Sequence, residues 1–394
     1  MKNAVTYALV LILSVNVIAQ NKKEIYQFSK DIAFKIEKDT LSWKYQMGAT
    51  DYSFSQHYLK ALETWDKNGV GIQTLSKEDS LYFKTFNPQN AKKYIIERSR
   101  KEKIIIINEA HHNSRHRVFT TSLLQNLYDN GYHFFGLEAI SDTLINKRKF
   151  VTNKSGYYTN EPQMSNLINE AIKIGFTIFN YEASEGKNGK EREIEQAKNI
   201  AKIIYENPNS KFLIHCGWEH VVEGTPGNKN WEKAMAGRLK EFTKIDPFTI
   251  DQTFYSEKGD AKYNSPYIQL VNLDYPVIMV NNNGKTFNGG IENDQTDCRI
   301  IHPITKYKNE RPNWLALSGE RKDYKIPKSK ITEFPVLILA YNQAEYEKDG
   351  IPCDIVEILN EKKNGNLILK KGKYKIIIKD KNYNIIDEYV QKIK

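Results

Sequence analysis

Ile104-Ile105-Ile106-Ile107-Asn108-Glu109-Ala110-His111-His112-Asn113 is the stretch whose reading decides the fold. Four consecutive isoleucines read as a strand buried on both faces, as strands of a parallel sheet are. A carboxylate and two imidazoles follow at once, where such a strand leaves its sheet. In open α/β sheets ligands bind at the carboxyl ends of the strands, so this edge is a candidate active site.

Outward from it, the pattern from residue 101 alternates strands and helices, the signature of a parallel sheet with helices packed on it. Strands are predicted at 103–108, 133–139, 176–183, 211–216 and 248–254. After the first, Asn113 or Ser114 is the N-cap of a helix whose inner stripe is Phe119, Leu123 and Leu127, stopped by Gly131. Further helices are expected at 165–174, closed by Gly175, at 190–207 and at 231–242. Glu191, Glu193 and Glu195 crowd the start of the 190–207 helix, where the helix dipole favours acids. Its apolar stripe is Ile194, Ala197, Ala201 and Ile204, and Arg192 and Asn199 fall on the opposite, solvent-facing side.

The fold class is therefore α/β, a mostly parallel central sheet with helices on both faces, an N-terminal helical cap and a C-terminal β-rich region. The divisions are a leader at 1–19, the cap at 20–100, the α/β core at 101–256, a β-rich extension at 257–330 and a small β-sandwich-like tail at 331–394. In the tail, strands are expected at 334–341, 354–359, 366–369 and 373–378.

The leader has Lys2, an apolar run from Ala4 to Val17, and Val17 and Ala19 at the −3 and −1 positions of a cleavage site. The run falls short of the ~20 residues of a membrane span, so it reads as a cleaved secretory signal of an exported, periplasmic or extracellular protein with no membrane span. The chain carries a net charge of +10, with its lysines spread evenly and interrupted by acids. Nucleic-acid binding wants a concentrated basic stripe instead, and none is present. Cys216, Cys298 and Cys353 are too few for a disulfide framework. One bridge, Cys298–Cys353, is the pairing an oxidising compartment would favour, and Cys216 reads as a small buried residue.

Three predicted strands end alike, in Glu109-Ala110, Glu138-Ala139 and Glu182-Ala183, and a fourth runs into Gly217-Trp218-Glu219-His220. If the strands are parallel neighbours, three carboxylates and at least two imidazoles converge on one edge. Histidine, with an unperturbed pKa near 6.5, can take a proton from water at neutral pH and so add ~10²–10⁴ in rate. A neighbouring carboxylate fixes its tautomer and stabilises the imidazolium. His112, Glu109, Glu138 and His220 are accordingly the catalytic candidates, with His111, Arg117 and Glu182 placed to bind substrate. Arg115 and Arg117 flank a helix N-terminus, a position suited to an anion. The hydrolytic reading requires no cofactor. The same groups, taken as Glu109, His111, His112 and His220, could instead hold a divalent metal, since imidazole and carboxylate are common ligands, or haem. No zincin helix, phosphate loop or serine-hydrolase elbow is present. His215 lies within an apolar run and reads as a core residue, His133 as exposed, and His57 as structural.

These residues resemble the erythromycin esterase-like group, whose pattern is Gly-Glu-x-x-His-Gly, a helix, a strand ending in Glu, and a later His near Gly. The related set includes ChaN-like haem-binding proteins and Tiki/TraB metalloproteases. Asn108-Glu109-Ala110-His111-His112, the Glu138 strand end and His220 after Gly217-Trp218 carry the resemblance, and Arg192 to Asn199 is similar to that group's Arg-Asp/Glu…Ala-x-Asn segment. Asn108 and Asn113 stand where that group has glycine. Within the set the chain resembles an exported bacterial branch marked by Glu-Ala-His-His…His-Arg. The resemblance implies a hydrolase acting on an ester, lactone or amide of a small-molecule or peptide substrate, with His112 activating water and Glu109 as its partner. Its alternatives are a haem- or iron-binding protein and a metal-dependent peptidase.

Overall fold

A computed structural model describes residues 24–394 apart from 139, 290–294 and 364. The predicted leader at 1–19, and Ala139 of the second Glu-Ala pair, lie outside the described residues. The first elements are helices α1 (Ser29–Lys38), α2 (Lys44–Phe54), α3 (Tyr58–Asp66) and α4 (Lys77–Phe83), strand β1 (Phe86–Asn90) and helix α5 (Ala91–Ser99).

The central sheet consists of β2 (Ile104–Glu109), β3 (Tyr132–Leu137), β4 (Thr177–Asn180), β5 (Lys211–Gly217), β6 (Phe248–Asp251) and, after β7 (Val277–Asn281), β8 (Cys298–Arg299). Its order is β4-β3-β5-β2-β6-β8 and every pairing is parallel. β7 pairs instead with β1. Between these strands run α6 (Arg115–Asp129), α7 (Ile145–Arg148), α8 (Pro162–Ile174), α9 (Gly189–Glu206), α10 (Met235–Thr243) and α11 (Pro266–Val271). β5 inserts between β3 and β2, so the carboxyl ends of three consecutive neighbours open on one edge.

Ile104 to Ile107 are fully buried and feed both faces of the sheet. Ile105 and Ile107 pack with Phe119, Leu123 and Leu127 of α6 and Leu167 and Ala171 of α8. Ile104 and Ile106 pack on the other face with Ala197, Ile200 and Ile204 of α9 and Leu239 of α10. At roughly 1.5–3 kcal/mol for each fully buried side chain, this two-sided burial is what holds β2 at the centre. Local chemistry sets the boundaries. Pro162 opens α8, the Glu161 side chain accepts from Met164 N, and Gly175 at φ +127 closes the helix.

Two predicted strands are shorter than expected for one reason. The Asn180 side chain accepts from Glu182 N at 2.8 Å, and Asp251 Oδ1 from Thr253 N at 2.7 Å, so each residue turns the chain out of the sheet. The helix expected at 231–242 begins only at Met235, because Glu232 has φ +57.

Beyond the core come β9 (Tyr307–Lys308), β10 (Arg311–Pro312), β11 (Lys322–Lys325), β12 (Val336–Asn342), the short α12 (Gln343–Tyr346), β13 (Pro352–Ile358), β14 (Asn366–Leu369), β15 (Gly372–Lys379) and β16 (Ile385–Ile393). β13-β12-β15-β16 form an antiparallel sheet, faced by the β11–β14 pair. Tyr26 and Phe28 cover its other side through Leu337, Leu339 and Ile355. The N-terminal segment thus packs on the C-terminal sheet, and α3 bridges that sheet to the edge of the core. Cys216, Cys298 and Cys353 are all free, so the bridge considered for Cys298–Cys353 is not formed.

Candidate active site

Glu109 ends β2 and is 1% exposed. A lone carboxylate there would be very costly, and two partners compensate it. Arg117, one turn into α6, donates from Nε to Glu109 Oε2 at 2.5 Å and from Nη2 to Oε1. Its Nη1 donates to Glu161 Oε2 at 2.8 Å. His111 Nδ1 meets Glu109 Oε1 at 2.9 Å. Burial alone would raise the Glu109 carboxyl, but Arg117 and His111 hold it well below the usual range. An ionised carboxylate cannot donate, so the Nδ1 proton belongs to His111, and its Nε2 makes no hydrogen bond among the described residues. Arg117, placed by the sequence among substrate-binding groups, is fully buried in the Glu109–Arg117–Glu161 triad.

His111 stacks on Tyr158 at 4.0 Å between ring centroids. His112, its neighbour, turns away. It is buried and lies parallel to Trp65 of α3, with centroids 4.1 Å apart, and Trp65 also stacks on Trp218 at 4.8 Å. His112 Nδ1 has no hydrogen-bond partner among the described residues. Burial and the nearby cations push its pKa well below the ordinary value, so it is neutral. Glu109 therefore orients His111, not His112.

A second cluster joins the ends of β3, β4 and β5. Arg192 of α9 donates from Nη2 to Glu138 Oε1 at 2.6 Å and to Glu182 Oε2 at 2.7 Å, and from Nε to Glu182 Oε1 at 2.9 Å. Its Nη1 lies 3.0 Å from His220 Nε2. Helical periodicity alone points Arg192 and Asn199 to solvent. Instead Arg192 knits three strand ends together, and Asn199 donates to the carbonyls of Tyr181 and Glu182. His220 is held at Nδ1 by Glu193 Oε2, 2.9 Å away, while the same oxygen accepts from Met235 N. Glu193 is fully buried, so satisfying the helix dipole in solvent is not its role.

Burial would lower His220, but Glu138 and Glu193 outweigh it and raise its pKa. The guanidinium contact requires an unprotonated Nε2, whereas a charged ring would direct that hydrogen to Glu138 Oε1, 3.5 Å away. One proton thus decides which neighbour His220 engages. Burial would raise Glu138, yet His220, Arg192 and His111 bring it down to about 2, so it is a carboxylate and not an acid at neutral pH.

Gly217 is the junction of the two clusters. Its N–H donates to Glu138 Oε2 at 2.5 Å. A Cβ at this position would stand 2.7 Å from His111 Nε2 and 3.2 Å from Glu138 Oε2. The glycine is there for space, since its φ of −85 is open to any residue. Next to it, Trp218 takes φ +45, a costly conformation for a bulky residue, of order 1–3 kcal/mol. Asn108, standing where the resembling group has glycine, helps hold it: its Nδ2 donates to Trp218 O at 2.7 Å and to Asp251 Oδ1 at 2.8 Å.

The side chains considered for metal binding do not form one ligand set. Glu109 is engaged by Arg117 and His111, and His220 by Glu193 and Arg192. Among the described residues, no three His, Cys, Asp or Glu side chains converge on a point that could hold an ion.

Of the remaining histidines, His215 is buried with Nε2 3.8 Å from Glu109 Oε2, His133 is exposed, and His57 is half-buried with Nε2 3.4 Å from Glu357 Oε2. Sequence reasoning missed Glu161, Glu193, Trp65 and Trp218. For Glu193 a signal existed: it lies four residues before Ala197 on the apolar face of α9, a charge where only burial with a partner is tolerated. Trp65 had none, because α3 reaches the edge only through tertiary packing.

No family model and no curated protein matches this chain. Among solved structures, it is similar to the crystal structure of RRSP, a MARTX toxin effector domain from Vibrio vulnificus CMCP6, at 14% identity and a TM-score of 0.30. The likeness covers 58% of this chain and 51% of that one, so about half the length of the toxin domain is spanned. At that level it carries no functional argument.

Proposed function

We propose that the chain is an exported hydrolase of the erythromycin esterase-like type, cleaving an ester, lactone or amide with water activated by His111. The observation that carries this reading is the Glu109–His111 pair at 2.9 Å, which leaves His111 Nε2 bare beside Glu138 at the mouth of the sheet edge. This is the orientation a general base requires. The resemblance would give that role to His112, but His112 lacks a carboxylate and is packed against Trp65.

In this mechanism His111 Nε2 takes a proton from water as its oxygen adds to the carbonyl carbon. The negative charge forming on the carbonyl oxygen faces the Arg192 guanidinium, fixed in advance by Glu138 and Glu182. Protonated His220, held by Glu193, gives its Nε2 proton to the leaving oxygen or nitrogen as the bond breaks. The products are a carboxylic acid and an alcohol or amine. Proton return from His111 to solvent, and from solvent to His220, resets the site. Export is supported by the leader pattern at 1–19.

The test is hydrolysis of a panel of aryl esters, lactones and peptides by the purified chain. His111→Gln should lose ~10²–10⁴ in kcat while His112→Phe stays near wild type. Absence of hydrolysis across the panel, or full activity in His111→Gln, would overturn the reading. Dialysis against a chelator should leave the rate unchanged; a loss restored by zinc or manganese would favour the metal-dependent peptidase alternative.

A further inference from the structure

At the other end of α3 from Trp65 lies a cavity of about 540 Å³, between the α2–α3 turn, the β9–β10 segment and β13. Four of its lining residues each keep one buried side-chain atom with no hydrogen-bond partner among the described residues: Gln56 Nε2, His57 Nε2, Arg311 Nε and Glu357 Oε1. Buried polar atoms are paired in about 90% of cases, and an orphan costs ~1–3 kcal/mol. Eighteen such atoms occur among the described residues, so four around one cavity is a concentration and not scatter.

The rest of each side chain is anchored, which fixes what the orphan offers. Arg311 Nη1 donates to Ile355 O at 2.9 Å, and its Nη2 to Asp354 Oδ1 and to Gln56 Oε1. That last contact sets the Gln56 amide so that its NH₂ is the free end. Glu357 Oε2 accepts from Ser29 N at 3.2 Å, leaving Oε1. Burial, its largest influence, lowers the His57 pKa to about 3, so the ring is neutral, and its Nε2 stands 3.4 Å from Glu357 Oε2 without a hydrogen bond. Gln56 also holds φ +60, strain of the kind that gathers at ligand sites.

The cavity therefore presents two donors, Gln56 Nε2 and Arg311 Nε, an acceptor, Glu357 Oε1, and the unpaired Nε2 of the neutral His57 ring. An anion would satisfy only the donors and a cation only the carboxylate oxygen. Hydroxyl groups, which donate and accept at once, satisfy both. Leu59 and Leu359, both partly exposed on the lining, suit the C–H faces of a ring. The volume lies within the range of small-ligand sites. We propose that this cavity is a second ligand site, for a neutral polyhydroxylated molecule of mono- or disaccharide size. It stands apart from the sheet edge and does not rest on the hydrolase reading.

The test uses the purified chain with glucose, galactose, mannose, N-acetylglucosamine and their disaccharides, read by saturation-transfer NMR and titration calorimetry. At least one sugar should bind saturably. Glu357→Gln should weaken it about tenfold or more, the loss expected of one charged hydrogen-bond partner. Leu59→Trp, which narrows the cavity without altering the four polar groups, should also abolish it, and His111→Gln should bind as wild type. The proposal is overturned if no sugar of the panel binds, if binding survives both cavity variants, or if it is lost in His111→Gln instead.

Discussion

Lowering the pH from 7 to 5 should cost this protein several kcal/mol of stability, through histidines that the fold keeps neutral. Burial, the largest influence at each, lowers His57 and His116 from 6.5 to about 3 and His215 to about 4. All three have folded values below their unfolded ones. Their contribution is therefore intact above pH 6.5 and is lost as pH falls from there toward 4 and 3, because the unfolded chain takes up protons that the folded chain refuses. Between pH 7 and 5 each group gives up about 1.9 kcal/mol, so the three together give up ~5–6 kcal/mol. Total stabilities run to only ~5–15 kcal/mol. His220 and Glu345, both raised in the fold, the latter by burial to about 7, work in the other direction; their contribution is present at low pH and lost as pH rises through the folded value, and Glu345 alone offsets about 2 kcal/mol between pH 7 and 5. The assay is urea unfolding followed by tryptophan fluorescence at pH 7, 6 and 5. The midpoint should fall, and His116→Gln should lessen the fall by the ~1.9 kcal/mol that one such group contributes. A midpoint flat between pH 7 and 5 would refute the reasoning.

Three further outcomes follow from individual contacts. Gly217→Ala places a methyl 2.5 Å from His111 Cε1, so it should displace that ring and lower kcat by an order of magnitude or more while circular dichroism is unchanged. Arg117→Met removes the one guanidinium shared by the buried Glu109 and Glu161 and should cost ~3–5 kcal/mol in urea unfolding; Glu161→Gln in the same background should recover part of it. Thiol titration of the denatured, unreduced protein should find Cys216, Cys298 and Cys353 all reactive, and a single reactive thiol would contradict their free state.

The parallel sheet, its helices and the edge bearing the polar groups were legible in the sequence because each rests on local periodicity. A run of β-branched residues can be buried only on both sides, and Gly131 and Gly175 stop helices by their own backbone freedom. The identical Glu-Ala endings mark Glu109, Glu138 and Glu182 in the sequence, since the end of a buried strand is a fixed place in such a fold.

Which groups meet there was another matter. Periodicity reports a face relative to one packing partner, and it put Arg192 in solvent because the rim of the sheet edge is invisible to it. Between His111 and His112, adjacent in the chain, only the tertiary structure decided. One turns to Glu109 and the other to Trp65, a residue 47 positions earlier. The sequence by itself determined where charged groups are set at the end of the sheet. Their pairing was decided by contacts between segments far apart in the chain, because a buried carboxylate takes the nearest fixed donor in space.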